Sequence, residues 1–439
     1  MTLRVRKKAV FSPVRTGLTP FEIRRAYNIP RHLNGSGQTI ALLEFGSGCS
    51  RSDIDTFVRS FQGIFDYDLH FVSLDGADNN GDASPDDMEA TLDIEWVLAM
   101  APSVRIVVYE APGVRTYGEF GRNLLAVLRY VVNDRVHKPS VISISYGDAE
   151  ENFIDAGYAE VENVLTQAAA KGISVFISSG DQGAYGSHRL DGEKVPRVDF
   201  PASCPHAMAV GGTSLAVNPY AETAWTYWGP RNGGATGGGF SRLFPAPYYQ
   251  LSHLVRYKET GRGVPDVAAV ADPANGCQVV FEGRPQVVGG TSLSAPIWAG
   301  ITALVNQATG KRAGLFTPAL YQNASPMRDI TQGNNNFNSV LGYQAGPGWD
   351  PCTGLGSPDV GKLIDLLAGK PVESGYVTTI RLTAGQRQYT VNRRSKWMEA
   401  APILVSPGQL YVSVRVLADI LGARRIEWED ATKTAVIRK

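Results

Sequence analysis

The chain has 439 residues, 43% of them hydrophobic, which is enough for a large domain and a smaller companion. Lysine plus arginine (42) equals aspartate plus glutamate (42), so the balance of charge argues against a nucleic-acid binder or an anionic-membrane binder. No apolar run approaches the roughly 20 residues that span a bilayer.

Residues 1–16, MTLRVRKKAVFSPVRT, are basic and lack the apolar stretch of a secretory signal, and they read as an N-terminal arm. From about residue 37 the runs QTIALLEFG, VRIVVYEA, SVISISYG, ISVFISSGD and HAMAVGGTSL predict strands buried on both faces. Helical periodicity marks the intervening GEFGRNLLAVLRYVVND and AGYAEVENVLTQAAAKG. This alternation predicts an α/β fold with a mostly parallel sheet and helices on both faces, and such sheets carry their sites just past the strands' carboxyl ends. Residues 216–286, rich in Gly, Pro and aromatics, read as long surface loops around a site, with GGGFSRLFP and 262–286 lining a cleft. The pattern changes near residue 372, ending a domain over 17–370. YVSVRVLADILGA and IEWEDATKTAVI then predict an independent small α+β module over 376–439, with one amphipathic helix.

Four cysteines, Cys49, Cys204, Cys277 and Cys352, show no CxxC spacing and so no zinc site; disulfides and buried thiols both remain open.

The stretch VVGGTSLSAP sets Ser292 behind two glycines, on a turn that opens a helix. A serine hydroxyl needs a base to become a nucleophile. In subtilisin-like enzymes with a similar G-T-S-x-x-x-P turn the base is a histidine. None of His32, His70, His137, His188, His206 and His253 lies in a His-Gly-Thr-His setting, and His206 reads as structural.

The acidic alternative is SPDDMEATLDIEWVLAMAP, residues 84–102. Ser84, Pro85 and Asp87 read as a helix start and Pro102 as its end. Glu89, Asp93, Trp96 and Met100 share one helical face, which the two apolar residues mark as inward. Two neighbouring buried carboxyls cannot both ionise cheaply, so one should hold its proton above the ordinary pH and exchange it with a serine. An EF-hand reading of Asp78, Asn80, Asp82 and Glu89 fails because Ala83 stands where a glycine is required and Pro85 follows. Asp181, in ISVFISSGDQG, lies just past a buried strand, where a protonated carboxyl can donate to a developing oxyanion.

With these elements in view, residues 17–368 resemble the sedolisins, the serine-carboxyl peptidases. The resemblance implies a subtilisin-like fold and peptide cleavage at acidic pH. It makes Ser292 the nucleophile, Glu89 the general base, Asp93 its orienting partner and Asp181 the oxyanion donor together with the backbone N–H of Ser292. Glu44, in ALLEFG, matches a further carboxylate of the proton network. The resemblance also implies one structural Ca²⁺ ion at Asp329, Ile330, Gly346, Gly348 and Asp350, an oxygen-ligand set suited to that ion. Where kumamolisin-like members have a tryptophan after the SIS strand, this chain has Tyr146. Family members are made with a long N-terminal prosegment, and here the resemblance begins at residue 17.

The C-terminal module is similar to the copper amine oxidase N-terminal-like domain; it holds no histidine or cysteine, so no copper is expected. The expected partners are polypeptide substrates, with no nucleic acid and no membrane span. A cell-wall or protein-binding role is open to the module, the chain is expected to be a monomer, and the resemblance points to an extracellular or secreted protein. Two alternatives stay open: a peptidase-shaped binding protein that no longer cleaves, and a histidine-dependent subtilisin-like protease.

Overall fold

The computed structural model describes residues 10–12, 17–62, 66–77, 87–187, 193–227 and 233–370, and seven strands within the C-terminal unit. In chain order, Val10–Ser12 forms β1, Pro20–Ala26 α1, Thr39–Phe45 β2, Arg51–Gln62 α2, Asp68–Ser73 β3, Asp87–Met100 α3, Arg105–Ala111 β4, Tyr117–Asn133 α4 and Val141–Ile144 β5. The short β6 (Asp148–Ala149) is followed by α5 (Tyr158–Ala170), β7 (Ser174–Ser178), β8 (Asp199–Phe200), β9 (Met208–Val217) and β10 (Tyr220–Ala224). Next come β11 (Thr226–Tyr227), β12 (Gly234–Ala235), β13 (Gly239–Pro245), the short α6 (Leu251–Leu254), β14 (Gly261–Val264), β15 (Val267–Val270), β16 (Cys277–Phe281) and β17 (Arg284–Gly289). The long α7 (Thr291–Thr309) follows.

The central sheet has the order β10-β9-β7-β5-β2-β4-β3, with β15 also on β9, and every pairing is parallel except β10 with β9. Its strands read as continuous Val/Ile/Leu runs because both faces are covered. One face packs against α3 and α7 through Trp96, Met100, Trp298 and Ile301, and the other against α4 and α5 through Phe120, Leu124, Val161 and Leu165. The five strands expected from the sequence are β2, β4, β5, β7 and β9, and the fold is the subtilisin-like α/β arrangement.

Residues 216–286 depart from the surface-loop expectation. β15 is a fully buried strand of the central sheet, and just before it Arg262 and Asp266 form an ion pair with no exposed surface, 2.6 Å apart. The run around them is broken by Gly and Pro, which hides a short strand that continuous apolar length would have revealed. Most of 262–281 is therefore buried rather than surface loop. In the expected N-terminal arm, β1 adds antiparallel to β17, with Val10 opposite Gly289. Cys49, Cys204, Cys277 and Cys352 are buried thiols.

Helix α3 is buried on every side, not on one face only. It lies between α2, α7 and β16, and Trp96 Nε1 donates to the Gln278 carbonyl at 3.1 Å. Gly300 of α7 allows close approach, since a Cβ there would stand 2.6 Å from Met100 Cβ. Ser84 and Pro85, the expected start of this helix, lie outside the described residues, as do Asp78, Asn80 and Asp82.

By contact clustering the chain divides into Met1–Lys370 and Pro371–Lys439. In the second unit, Thr379–Thr383, Gln388–Val391, Arg394–Trp397, Arg425–Glu429 and Thr434–Arg438 form one antiparallel sheet. Ile403–Val405 and Gln409–Tyr411 form a separate pair. The helix expected over YVSVRVLADILGA falls outside the described residues, apart from Tyr411.

Candidate active site

Ser292 is the second residue of α7 and is fully buried. The turn before it needs glycine at 290, where φ is +105°. Pro296 lies one turn in, beyond the positions where its missing N–H costs nothing. It therefore leaves the Ser292 carbonyl without its i+4 donor. The hydroxyl of Ser145, just past β5, donates toward that carbonyl at 3.4 Å, and the Ser292 hydroxyl donates to the Ser145 carbonyl at 3.4 Å. The end of β5 and the reactive turn are thus tied together in both directions.

The Ser145 hydroxyl also stands 2.9 Å from each oxygen of Asp93. Glu44, Glu89 and Asp93 have no exposed surface, so the possibility that Glu89 and Asp93 edge a solvated face is excluded. Burial drives the Asp93 pKa well above the ordinary carboxylate range; the charges of Glu44 and Glu89 raise it further, against the Ser145 hydrogen bond. The physical result is a carboxyl whose protonated form is favoured.

Glu44 belongs to this cluster from the end of β2. Tyr146 donates its phenolic hydrogen to Glu44 Oε2 at 2.7 Å, and Ser47 Oγ lies 3.2 Å from the same oxygen. Tyr146 therefore supplies a donor at the position where kumamolisin-like members have tryptophan. Asp181, just past β7, is docked on the first turn of α7. Its Oδ1 accepts the Thr291 N–H at 2.7 Å and the Thr291 hydroxyl at 2.8 Å, while the Gly180 N–H donates to that hydroxyl at 3.1 Å. Ser292, Glu89, Asp93, Asp181 and Glu44 thus gather where the carboxyl ends of β2, β5 and β7 meet α3 and α7.

Of the described histidines, His70 pairs with Asp68, His137 with Asp134 and His206 with Glu162, while His253 packs edge-on against Tyr321 and His32 is exposed. Glu162 raises the pKa of His206, which is a structural pair as expected. The described histidines supply no hydrogen bond to Ser292.

Residues 76–343 match the subtilase family of peptidases. The chain belongs to the subtilase family. Within it the likeness is to the sedolisins. Kumamolisin of Bacillus sp. (strain MN-32) is 42% identical over 356 residues, covering 78% of this chain and 62% of that protein. Bovine (Bos taurus) tripeptidyl-peptidase 1 is 33% identical over 385 residues, covering 80% of this chain and 64% of that protein. The chain therefore spans somewhat under two thirds of the length of these relatives. Among solved structures, Pseudomonas sedolisin complexed with two molecules of pseudo-iodotyrostatin superposes with a TM-score of 0.71 at 26% identity, covering 83% of this chain and all of that one. Residues 374–437 match the copper amine oxidase N-terminal domain. No helix among the described residues of this subtilase is long and apolar enough to cross a membrane.

The residues expected to hold calcium lie together on a second loop of this subtilase. Asp350 accepts the Gly346 N–H at 3.0 Å, and Asp329 accepts the Gly348 N–H at 2.8 Å, so the two carboxylates grip one turn from both ends. Gly348 needs its φ of +74° for that turn. Burial pushes the Asp350 pKa up to about 6 against the N–H donors of Gly346, Thr353 and Cys352. A buried carboxyl raised in this way, with the Asp329 carboxylate bonded to the same turn, fits a hard cation. Among the described residues no three His, Cys, Asp or Glu side chains cluster for a metal, so the remaining ligands would be backbone oxygens.

Three groups that the sequence reading passed over complete the site: Ser145, Ser47 and Glu110. Each lies at or just past a strand end, which is where the fold rule directs attention. Their residue types carry no signal of their own, and only the register of the sheet brings them together.

Proposed function

We propose that the chain is an acid-active serine-carboxyl endopeptidase, cleaving polypeptides through an acyl-enzyme on Ser292. The observation that carries this reading is the fully buried Asp93 carboxyl. It is joined to the reactive turn through Ser145 and stands beside Glu89 and Glu44, in a site to which the described histidines contribute no hydrogen bond. The names of the relatives support the same activity.

Ser292 Oγ attacks the peptide carbonyl while Glu89 takes its proton and Asp93 holds Glu89 in place. The oxyanion receives the Ser292 N–H and a proton carried on Asp181. Asp181 Oδ1 is held by two Thr291 donors, so Oδ2 is the oxygen for that proton. Glu89 then passes its proton to the leaving amine. Water enters by the same route, with Glu89 as base, and releases the acid. Asp329, Asp350 and the backbone carbonyls of Ile330, Gly346 and Gly348 would hold one Ca²⁺ ion, whose positive charge would favour the ionised form of Asp350. An extracellular or secreted setting and a cell-wall or protein-binding role for the C-terminal unit complete the reading.

Casein digestion at about pH 4 tests it, with pepstatin present and Ser292→Ala as control. Cleavage that vanishes in the variant is expected. No cleavage by the intact chain would favour a peptidase-shaped binding protein, and activity rising from about pH 6 to 8 would favour a histidine base.

A further inference from the structure

Toward the amino ends of β3, β4 and β5, the opposite end of the sheet from Ser292, two histidines stand side by side. His70 lies on β3, the last strand of the described sheet, and His137 lies in the connection from α4 to β5. Their rings are 5.8 Å apart, centroid to centroid, and tilted by 51°. A carboxylate holds one nitrogen of each ring. His70 Nε2 stands 2.5 Å from Asp68 Oδ1, and His137 Nδ1 stands 2.8 Å from Asp134 Oδ2. Each carboxylate is fixed in turn. Arg105 Nε donates to Asp68 Oδ2 at 2.7 Å, and the Tyr109 hydroxyl donates to Asp134 Oδ2 at 2.7 Å. The N–H groups of Val136 and His137 donate to Asp134 Oδ1 at 2.7 and 3.2 Å.

A carboxylate on one imidazole nitrogen draws the ring hydrogen there and leaves the lone pair on the other nitrogen. The lone pairs therefore belong to His70 Nδ1 and His137 Nε2, and neither atom has a hydrogen bond among the described residues. A carboxylate behind an imidazole is also what orients a metal-ligating histidine and raises its basicity. A bond of about 2.0–2.1 Å to nitrogen sets an ion roughly 3 Å from a ring centroid, so two imidazoles on one ion lie about 5–6 Å apart. The observed 5.8 Å meets that spacing. The His70 side chain is 46% exposed and that of His137 20%, which gives an ion a way in. Among the described residues no third His, Cys, Asp or Glu completes a cluster, so water fills the rest of the shell.

We propose that His70 and His137, oriented by Asp68 and Asp134, bind one Zn²⁺ ion that ties β3 to the connection between α4 and β5. Imidazole pairs suit zinc, copper and nickel, whereas calcium takes oxygen ligands, so this ion differs in kind from the one placed at Asp329 and Asp350. The pair shares no residue with that loop or with the carboxyls around Ser292, and it stands whether or not the chain cleaves peptides. The charges around it favour a cation: Asp68 and Asp134 against Arg105, with the phenols of Tyr109 and Tyr130 beside them. Two ordinary surface ion pairs would bind no zinc.

The test is equilibrium dialysis of the full chain against Zn²⁺, with calcium present, at about pH 7.5, where an ordinary imidazole is neutral. Wild type is expected to hold one Zn²⁺ more than His70→Ala and one more than His137→Ala. With Cu²⁺ as the probe, the electron paramagnetic resonance spectrum should show two nitrogen ligands in wild type and lose that signature in each variant. Asp68→Asn keeps both ligands but withdraws the charge behind His70, and it is expected to weaken zinc binding by about 10–100-fold. Neither histidine is enclosed, so one variant decides the matter if the other folds poorly. Zinc binding that survives either histidine substitution overturns the site, as does a wild-type chain that holds no zinc.

Discussion

Glu150 offers a test of acid adaptation far from the reaction. It lies in the turn after β6 with no exposed surface, and its carboxyl accepts the Ser241 hydroxyl at 2.7 Å and the Arg242 N–H. Burial, helped by the charge of Glu151, outweighs these donors and pushes its pKa from 4.5 to about 7. A carboxyl whose folded pKa is raised contributes stability that is fully present below the unfolded value and is lost as pH rises through the folded one. Here the window runs from 4.5 to about 7. At about 1.4 kcal/mol per pH unit the loss is roughly 3 kcal/mol. For a unit of this size that corresponds to about 4 °C in Tm. Glu150→Gln keeps the shape and cannot ionise: its amide oxygen can take the Arg242 N–H, and its NH2 can donate to Ser241. Thermal unfolding of both proteins at fixed calcium, from about pH 4.5 to 8, should show near-equal Tm values in acid. The variant should gain by about 4 °C at the alkaline end. A difference that does not change with pH would refute the reasoning.

Asp181→Ala is expected to lower kcat on a peptide substrate by about 10²–10³, the usual cost of losing an oxyanion donor, and an unchanged kcat would refute that role. In chelator, the Asp350 contribution should weaken as pH rises from 3.8 to about 6, whereas bound calcium favours the ionised form and reverses the sign. Calcium at about 100 times its Kd should then add roughly 2.7 kcal/mol in wild type and far less in Asp350→Asn, and a Tm indifferent to calcium would remove the site. Gly300→Ala places a Cβ 2.6 Å from Met100 Cβ, so α3 must back away from α7. Because misplacement by about 1 Å can cost about 10²-fold, kcat should fall while circular dichroism stays native, and full activity would show the helices have slack.

The central sheet was readable because β2, β4, β5, β7 and β9 are uninterrupted apolar runs, and such runs have few other fates in an alternating chain. β15 was not readable. Only four residues long, it follows Pro265 and the buried Arg262–Asp266 pair, a sequence that suggests a polar turn until the ion pair is seen to be enclosed. The helix carrying Glu89 and Asp93 was legible as a helix, but its environment was not. One-sided amphipathicity predicts one buried face, whereas α3 is enclosed by α2, α7 and β16 as well as the sheet. Ser292 and Asp181 announced themselves through glycine turns at strand and helix ends. Ser145, Ser47 and Glu110 did not, because a serine or glutamate at a strand end is ordinary until sheet register sets it beside another carboxyl.

Charge accounting links the buried carboxyls to an acidic working range. In a serine site with an imidazole base, proton transfer turns a neutral ring into a cation as the oxyanion forms, so the site must support a new pair of opposite charges. With Glu89 as base, one negative charge is present before the transfer and one after it, moved from the carboxylate to the oxyanion. No imidazolium needs a counter-charge, but the moved charge needs donors at its destination and no competing anion beside it. In the proposed mechanism Asp181 would meet the first need only when it carries a proton, and Asp93 the second only when it does. The enclosure of α3 raises Asp93 for this purpose, and it also raises Glu95, which accepts one N–H from Val280 and stands near Asp53. In the proposed mechanism, the burial that supports the carboxyl relay would tie catalysis to low pH, and retuning it to neutral conditions would mean opening the helix to water or replacing its acids.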